Sequence, residues 1–364
     1  MRIDLPAPSH PLLPASHAAA APPRWRFAAV SLALLAALAA LLGLSLSLGA
    51  VPLEARQVWL ALSGEGDATT HALLWNLRLP RSLLAVVVGL HFALSGLILQ
   101  AVIRNPLADP GVIGVSSGAS LAIVAFLLLA DLINATLGQA GGRLLTLAGL
   151  PFAALLGGLG SALLVLALSW RAAISPVRLA LNGVAVGAVL NALVMWIVVA
   201  WGGARTEITV IWLAGSLYGR DFDHLVLLLP WSALGLAGAW LLLRPLSLLR
   251  FDDDVARGLG LHLLRWRLAA LVVAVLLAAS AIAVAGPIGF VGLVIPHLAR
   301  LLVGSELHRL LPVSALCGAL LTLGADTVAR TAISPLELPV GVLTTLIGIP
   351  IFLILLQRHA GRQS

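Results

Sequence analysis

Apolar residues run along this chain in long stretches separated by short polar breaks. The windows near 27–49, 82–103, 112–130, 144–169, 179–201, 225–243, 268–285, 289–303, 310–329 and 338–356 are each almost continuously apolar. About 20 such residues in a helix cross the ~30 Å hydrocarbon core of a bilayer. The eighth window is short and contains Pro296 and His297. The pattern predicts an all-α integral membrane protein, a polytopic bundle of about ten transmembrane helices. Residues 1–23, rich in Ala, Pro and His, read as a disordered tail, residues 24–358 as one membrane domain, and 359–364 as a C-terminal tail. The run after Arg24-Trp25-Arg26 imitates a signal peptide, but it is too long for that and heads a series of spans, so it reads as an uncleaved first helix.

The breaks carry their own pattern. In "VIRNPLADPG", residues 102–111, Pro106 and Pro110 prevent the helix from continuing. A second break, "GPIGFVG" at 286–292, falls at the corresponding place in the second half of the chain but on the opposite side of the membrane. Inverted halves with broken helices at matching positions are typical of transport proteins, where freed backbone groups line a cavity. The external segments 50–81 and 202–224 are long enough for short interfacial helices. The longest internal loop, 244–264, contains Asp252, Asp253 and Asp254, which suit a helix start, and ends in Gly-Leu-Gly. It reads equally as a solvated loop with a capped helix or as a docking helix for a cytoplasmic partner.

Composition sharpens this. Of 364 residues, 60% are hydrophobic and 10% charged, against about 25% charged in soluble domains. Every basic residue is arginine. Without lysine the chain can be neither a P-loop ATPase nor a Schiff-base enzyme. The net charge of +7 does not point to nucleic acid, because the arginines lie scattered at the ends of apolar runs. With both termini cytoplasmic, fifteen arginines fall inside and seven outside, which satisfies the positive-inside rule. Cys317 reads as a small buried packing residue.

Enzymatic and ion-coupled readings find little support. No histidine is followed by glutamate, which excludes an HExxH zinc site. His91 and His297 read as helix-to-helix hydrogen-bonding residues. A proton-coupled transporter needs a membrane carboxylate, and the best candidate, Asp326, has Arg330 at i+4 as an intrahelical ion-pair partner. The energy source is then a partner protein.

Four motifs carry a resemblance: "LRLPRSLLAVVVGLHFALSGLILQAVIRNPLADPGVIGVSSGAS", "GPIGFVGLVIPHLARLLVG", "HRLLPVSALCGALLTLGADTVAR" and "ELPVGVLTTLIGIPIFLILL". From about residue 50 to 358 the chain resembles the iron-chelate and vitamin B12 (FecCD-type) permeases of type II ABC importers. The resemblance implies a non-enzymatic transport subunit of the bacterial inner membrane, with membrane lipid around it and no cofactor of its own. A second permease subunit, in a homodimer or heterodimer, would complete the pathway. A cytoplasmic ATPase dimer would bind ATP and Mg, and a periplasmic binding protein would deliver substrate. Arg78, Arg81 and Arg330 match outer-surface arginines that engage acidic residues of the binding protein. Asn105 and Leu107 match the loop that closes the pathway toward the cytoplasm, and Ser175, Pro176 and Val177 a second constriction, where Pro and Val depart from the family's Ser/Thr cluster. Arg257, Gly258, Leu259 and Gly260 match the coupling helices at the ATPase cleft. The stretch "WLAGSLYGRDFDHL", residues 212–225, looks more like ferric-siderophore members than haem or cobalamin members.

Overall fold

The structure is a computed structural model that describes residues 24–137, 149–171, 173–201, 206–333 and 336–360. The two predicted tails lie outside the described residues, except that the last helix reaches Ala360. Fifteen α-helices follow in order. They are α1 (Arg24–Ser47), α2 (Ala55–Ser63), α3 (Ala68–Ala72), α4 (Leu79–Ile103), α5 (Val115–Leu137), α6 (Leu150–Ser169), α7 (Pro176–Trp201) and α8 (Thr206–Leu213). The second half holds α9 (Phe222–Leu241), α10 (Leu243–Leu249), α11 (Asp253–Gly258), α12 (Leu263–Ala285), α13 (Val291–Val303), α14 (Leu307–Thr331) and α15 (Val340–Ala360). Each of the ten predicted windows coincides with a helix; eight of these are long and apolar enough to span a membrane, and Val291–Val303 and Val340–Ile354 are shorter apolar helices.

Burial ranks the helices. Helices α4, α12 and α14 form the interior, whereas α1, α7 and α9 are largely exposed within a single chain. Small residues let the central helices touch backbone to backbone. A Cβ on Gly89 would sit 2.2 Å from the Gly318 carbonyl oxygen, and one on Gly96 would sit 2.0 Å from that of Gly292. Lipid tails are as apolar as leucine, so close packing of this kind, rather than hydrophobic exclusion, holds membrane helices together. His91 adds polar contacts: its Nε2 lies 2.8 Å from Ser232 Oγ on α9, and its Nδ1 lies 3.1 Å from Leu277 O and from Ser280 Oγ on α12. That is the helix-to-helix role expected for an intramembrane histidine. Cys317 is buried, as expected.

The packing is reciprocal between halves. Helix α4, which opens the first repeat, packs on α13 and α14; α12, which opens the second, packs on α5 and α6. The two breaks also correspond. After α4 the chain turns at Arg104 (φ 55°) into a 3₁₀ turn, Pro110–Ile113, and after α12 it turns through Gly286 (φ 72°) and Phe290 (φ 68°). They open at opposite ends of the bundle, since Arg104 reaches Leu249, just before α12, while the Ser216 amide reaches Ala285 at the far end of α12, and they meet inside it, where Pro110 packs against Gly292.

One boundary differs from expectation. The helical chain does not begin near residue 82; it runs unbroken from Ala68 to Ile103, with a π-helical stretch at Leu73–Arg78. Pro80 has no N–H to offer the ladder, and the Leu79 N–H reaches back five residues to Leu74 O. Arg78 and Arg81 therefore sit in a helix and not in a loop.

Candidate docking, gating and coupling sites

At the end of the bundle opposite Arg104, the three arginines matched to docking converge. Arg81 donates from Nε to Asp326 Oδ1 at 2.9 Å and from Nη1 to Glu337 Oε2 at 2.7 Å. Arg330 approaches Asp326 Oδ2 at 3.4 Å and donates to Ser45 O at 2.7 Å and Ser45 Oγ at 2.6 Å. Arg78 donates to the carbonyls of Leu46 at 2.7 Å and Ser47 at 3.0 Å, and also to Val51 O. They line one cavity of about 180 Å³ together with Glu337. All three are recessed within a single chain: Arg78, Arg81 and Arg330 are 6%, 7% and 7% exposed. They are recessed because α1, α4 and α14 meet there and supply carbonyls and a fully buried carboxylate. Three guanidiniums face two carboxylates, so the cavity keeps one positive charge. Sequence reasoning found the Asp326–Arg330 pair but missed Glu337 and Ser45. The only signal for Glu337 was a carboxylate beside prolines just ahead of the last span.

At the other end, Asn105 Oδ1 accepts the Leu107 N–H at 2.9 Å, closing an Asx turn directly after Arg104. Asp109 caps the 3₁₀ turn through the Val112 N–H at 3.1 Å. Leu107 is 43% exposed. The second loop pairs Trp170 with Ile174 in a two-residue antiparallel hairpin, and the Ser175 carbonyl accepts the Leu179 N–H at 3.0 Å as α7 begins at Pro176. Val177 is exposed. The 110–113 turn rests on α7 at Gly183, but no hydrogen bond or ion pair among the described residues joins 105–107 to 175–177. Each loop is shaped by its own hydrogen bonds.

At the same end as Arg104 lies α11. Arg257 is exposed and pairs with Asp254 at 3.1 Å; Gly258 and Gly260 (φ 83°) are open to solvent, and Leu259 is exposed with Val255 and Phe251. The aspartates do mark a helix start, with Asp253 and Asp254 in the first turn of α11. Asp252 occupies the N-cap position without a side-chain capping bond. Asp253 instead turns back to the bundle, accepting from Arg104 Nη2 at 2.5 Å and from Arg267 at 2.5 and 3.0 Å. Hydrogen bonds from Arg267, then Arg104, and their charges hold its carboxyl below the usual carboxylate range against the opposing effect of burial. Arg267 is itself buried, so α11 is fixed at its first residue and free at its tip.

Among the described residues no group of His, Cys, Asp and Glu could hold a metal ion. A polytopic bundle with reciprocally packed halves, an exposed helical tip and two helix breaks is the build of a membrane transport subunit. Comparison makes the assignment specific: the model of the FecCD transport family matches residues 36–358, and the chain belongs to that family. It is 39% identical over 320 residues to the Fe(3+)-citrate import system permease protein YfmE of Bacillus subtilis, covering 88% of this chain and 92% of that one. It is 40% identical over 324 residues to the vitamin B12 import system permease protein BtuC of Vibrio cholerae, covering 88% and 93%. Among solved structures it is similar to a metal-chelate type ABC transporter in an inward-facing conformation, with a TM-score of 0.79 and 31% identity over 91% of this chain and 99% of the other. The chain is a permease subunit of the ABC-transporter class, a transport component and not an enzyme.

Proposed function

We propose that this chain is the permease of an ATP-driven importer that moves an iron chelate of the ferric-siderophore class from periplasm to cytoplasm. Both termini then face the cytoplasm, as the arginine distribution favours. In this reading a cytoplasmic ATPase dimer, which binds ATP and Mg, engages the exposed tip at Arg257, Gly258, Leu259 and Gly260. A periplasmic binding protein inserts a carboxylate into the Arg78–Arg81–Arg330 cavity. A second permease subunit covers the exposed face of α7 and brings Asn105 and Leu107 toward Ser175, Pro176 and Val177 across the pathway. The observation that carries the reading is the pinning of α11: Asp253 ties the exposed tip to Arg104, the residue that opens the 105–109 loop. A push on that tip has a rigid route to the loop.

The ferric chelate is supported by the Fe(3+)-citrate relative and the metal-chelate transporter; the vitamin B12 relative, equally similar, keeps cobalamin as the second reading, and a hemin transport permease of Yersinia pestis, 39% identical, keeps haem beside it. A proton-coupled exporter is disfavoured, because Asp326 is matched by Arg81 and Arg330. Proteoliposomes holding the permease, its ATPase and its binding protein test the proposal. Uptake of a ferric siderophore that requires internal ATP and ignores a proton uncoupler supports it. Uptake of cobalamin or haemin alone selects the second reading, and transport that persists without the ATPase and collapses with the uncoupler overturns the importer.

A further inference from the structure

A cavity of about 210 Å³ lies between the Arg104 end of α4 and the neighbouring ends of α13 and α14, apart from the docking cavity and the α11 tip. Its polar lining is Gln100, Arg104, Arg250 and Arg300, and Leu307 and Leu310 contribute to an apolar wall. Arg104 is already engaged with Leu249 O and Asp253. The other two arginines are different. Arg300 donates from Nη2 to Gln100 Oε1 at 2.8 Å, a neutral partner whose amide nitrogen is oriented by the Gly292 and Leu293 carbonyls at 3.3 and 3.2 Å. Arg250 donates from Nη1 to Ser305 O at 2.7 Å. Neither guanidinium has a carboxylate partner among the described residues, and the nearby charge that acts on Arg300 is the like charge of Arg250.

Each guanidinium has five N–H donors, so most remain available to a ligand. Two like charges sharing a partly dry cavity repel each other, and an anion between them turns that repulsion into two attractions. The position selects the anion. The cavity lies where α4 and α13 end and α14 begins, and the ends of membrane-spanning helices such as α4 and α14 meet lipid headgroups, with leucine beside the arginines to receive a glycerol backbone and the first methylenes. An acidic side chain of a docked protein would have to reach past the helix ends to Arg300, which sits against the buried Gln100.

We infer that this cavity binds the phosphate of an anionic phospholipid between Arg250 and Arg300, joining α13 and α14 to the segment that carries α10 and α11. The orientation proposed above places the lipid in the cytoplasmic leaflet; the phosphate chemistry holds in either orientation.

The purified full chain in nanodiscs of phosphatidylcholine, with and without phosphatidylglycerol, provides the test. Phosphatidylglycerol should raise the thermal midpoint and be retained over phosphatidylcholine in native mass spectrometry. Arg250→Gln and Arg300→Lys should each reduce that preference, the former about fivefold, while Arg265→Gln, an exposed arginine away from the cavity, should not. Inorganic phosphate added to pure phosphatidylcholine discs should give no rise; an equal rise would overturn the lipid in favour of the free anion. An unchanged lipid preference in both cavity variants would overturn the site, and loss of ATPase affinity in its place would assign the cavity to an acidic side chain of that partner.

Discussion

Arg104 and Asp253 are 149 residues apart in sequence, and Arg104 Nη2 lies 2.5 Å from Asp253 Oδ1. The contact joins the last turn before the first break to the first residue of α11. Arg104 holds a left-handed conformation at φ 55°, which costs a non-glycine residue about 1 kcal/mol or more, and its side chain is held by Leu249 O and Asp253. Arg267, on α12, shares the same carboxylate. The consecutive helices α11 and α12 and the distant end of α4 thus meet on one side chain.

Asp253→Asn should therefore separate hydrolysis from transport. Replacing the charged acceptor weakens hydrogen bonds to two guanidiniums, a loss of about 2 kcal/mol, and leaves the fold otherwise intact. ATPase activity of the reconstituted complex should persist while uptake per ATP falls; equal loss of both would assign Asp253 to assembly alone. The pH dependence has a definite sign. The folded carboxyl titrates below its unfolded value of about 3.9. Its stabilisation is complete above about pH 5 and disappears as pH falls through the folded value, so the wild type and the Asn variant should converge in stability only in strong acid.

Glu337 sets the charge left for a docking partner. With Asp326 and Glu337 both ionised, the cavity of Arg78, Arg81 and Arg330 keeps one positive charge; Glu337→Gln leaves two. Glu337 is the more accessible of the two carboxylates, its side chain 29% exposed, so the fold should tolerate the change. Binding-protein affinity, titrated at low and high salt, should rise about fivefold at low salt and return toward wild type at high salt. Arg78→Gln should lower it. If neither variant shifts affinity, the cluster only fastens α1, α4 and α14 together.

Span positions were legible in the sequence because a bilayer tolerates so few alternatives to a long apolar helix. The inverted repeat was legible from two Pro- and Gly-containing breaks, and the reciprocal packing of α4 and α12 supports it. Side-chain partners across helices were not legible. Nothing in "DDD" distinguishes a cap from an anchor, since the choice depends on Arg104 and Arg267 arriving from elsewhere. The burial of Arg78 was equally hidden, because its acceptors are backbone carbonyls at the end of α1. Docking, gating and coupling roles came from the resemblance, and the geometry adds the contacts that make each one testable.

Helix contacts predict a sharp contrast between two glycines. A Cβ at Gly96 would fall 2.0 Å from a backbone carbonyl oxygen, which cannot move aside as a side chain can, whereas one at Gly160 meets nothing within 4 Å. Gly96→Ala should lower stability by about 3 kcal/mol by forcing α4 and α13 apart. Gly160→Ala should be neutral or slightly stabilising, since alanine is the better helix former. Thermal unfolding of both variants in detergent separates them; equal midpoints would mean that the α4–α13 contact relaxes freely.

Asn105 shapes its turn through one acceptor oxygen, given to the Leu107 N–H, and so presents Leu107 at the surface. Asn105→Asp keeps an acceptor there and should keep the turn; Asn105→Ala loses it at a cost of about 1 kcal/mol. Leu107→Ala leaves the turn intact and removes the apolar side chain that would close the pathway. If the loop gates, the Asn105→Ala/Leu107→Ala double variant should leak substrate from loaded proteoliposomes without ATP, or hydrolyse ATP without uptake, and Asn105→Asp should do neither. Leu107→Ala alone should leak with unchanged thermal stability, which separates gating from folding. Tight vesicles and normal coupling in all three would reduce residues 105–107 to a connecting turn.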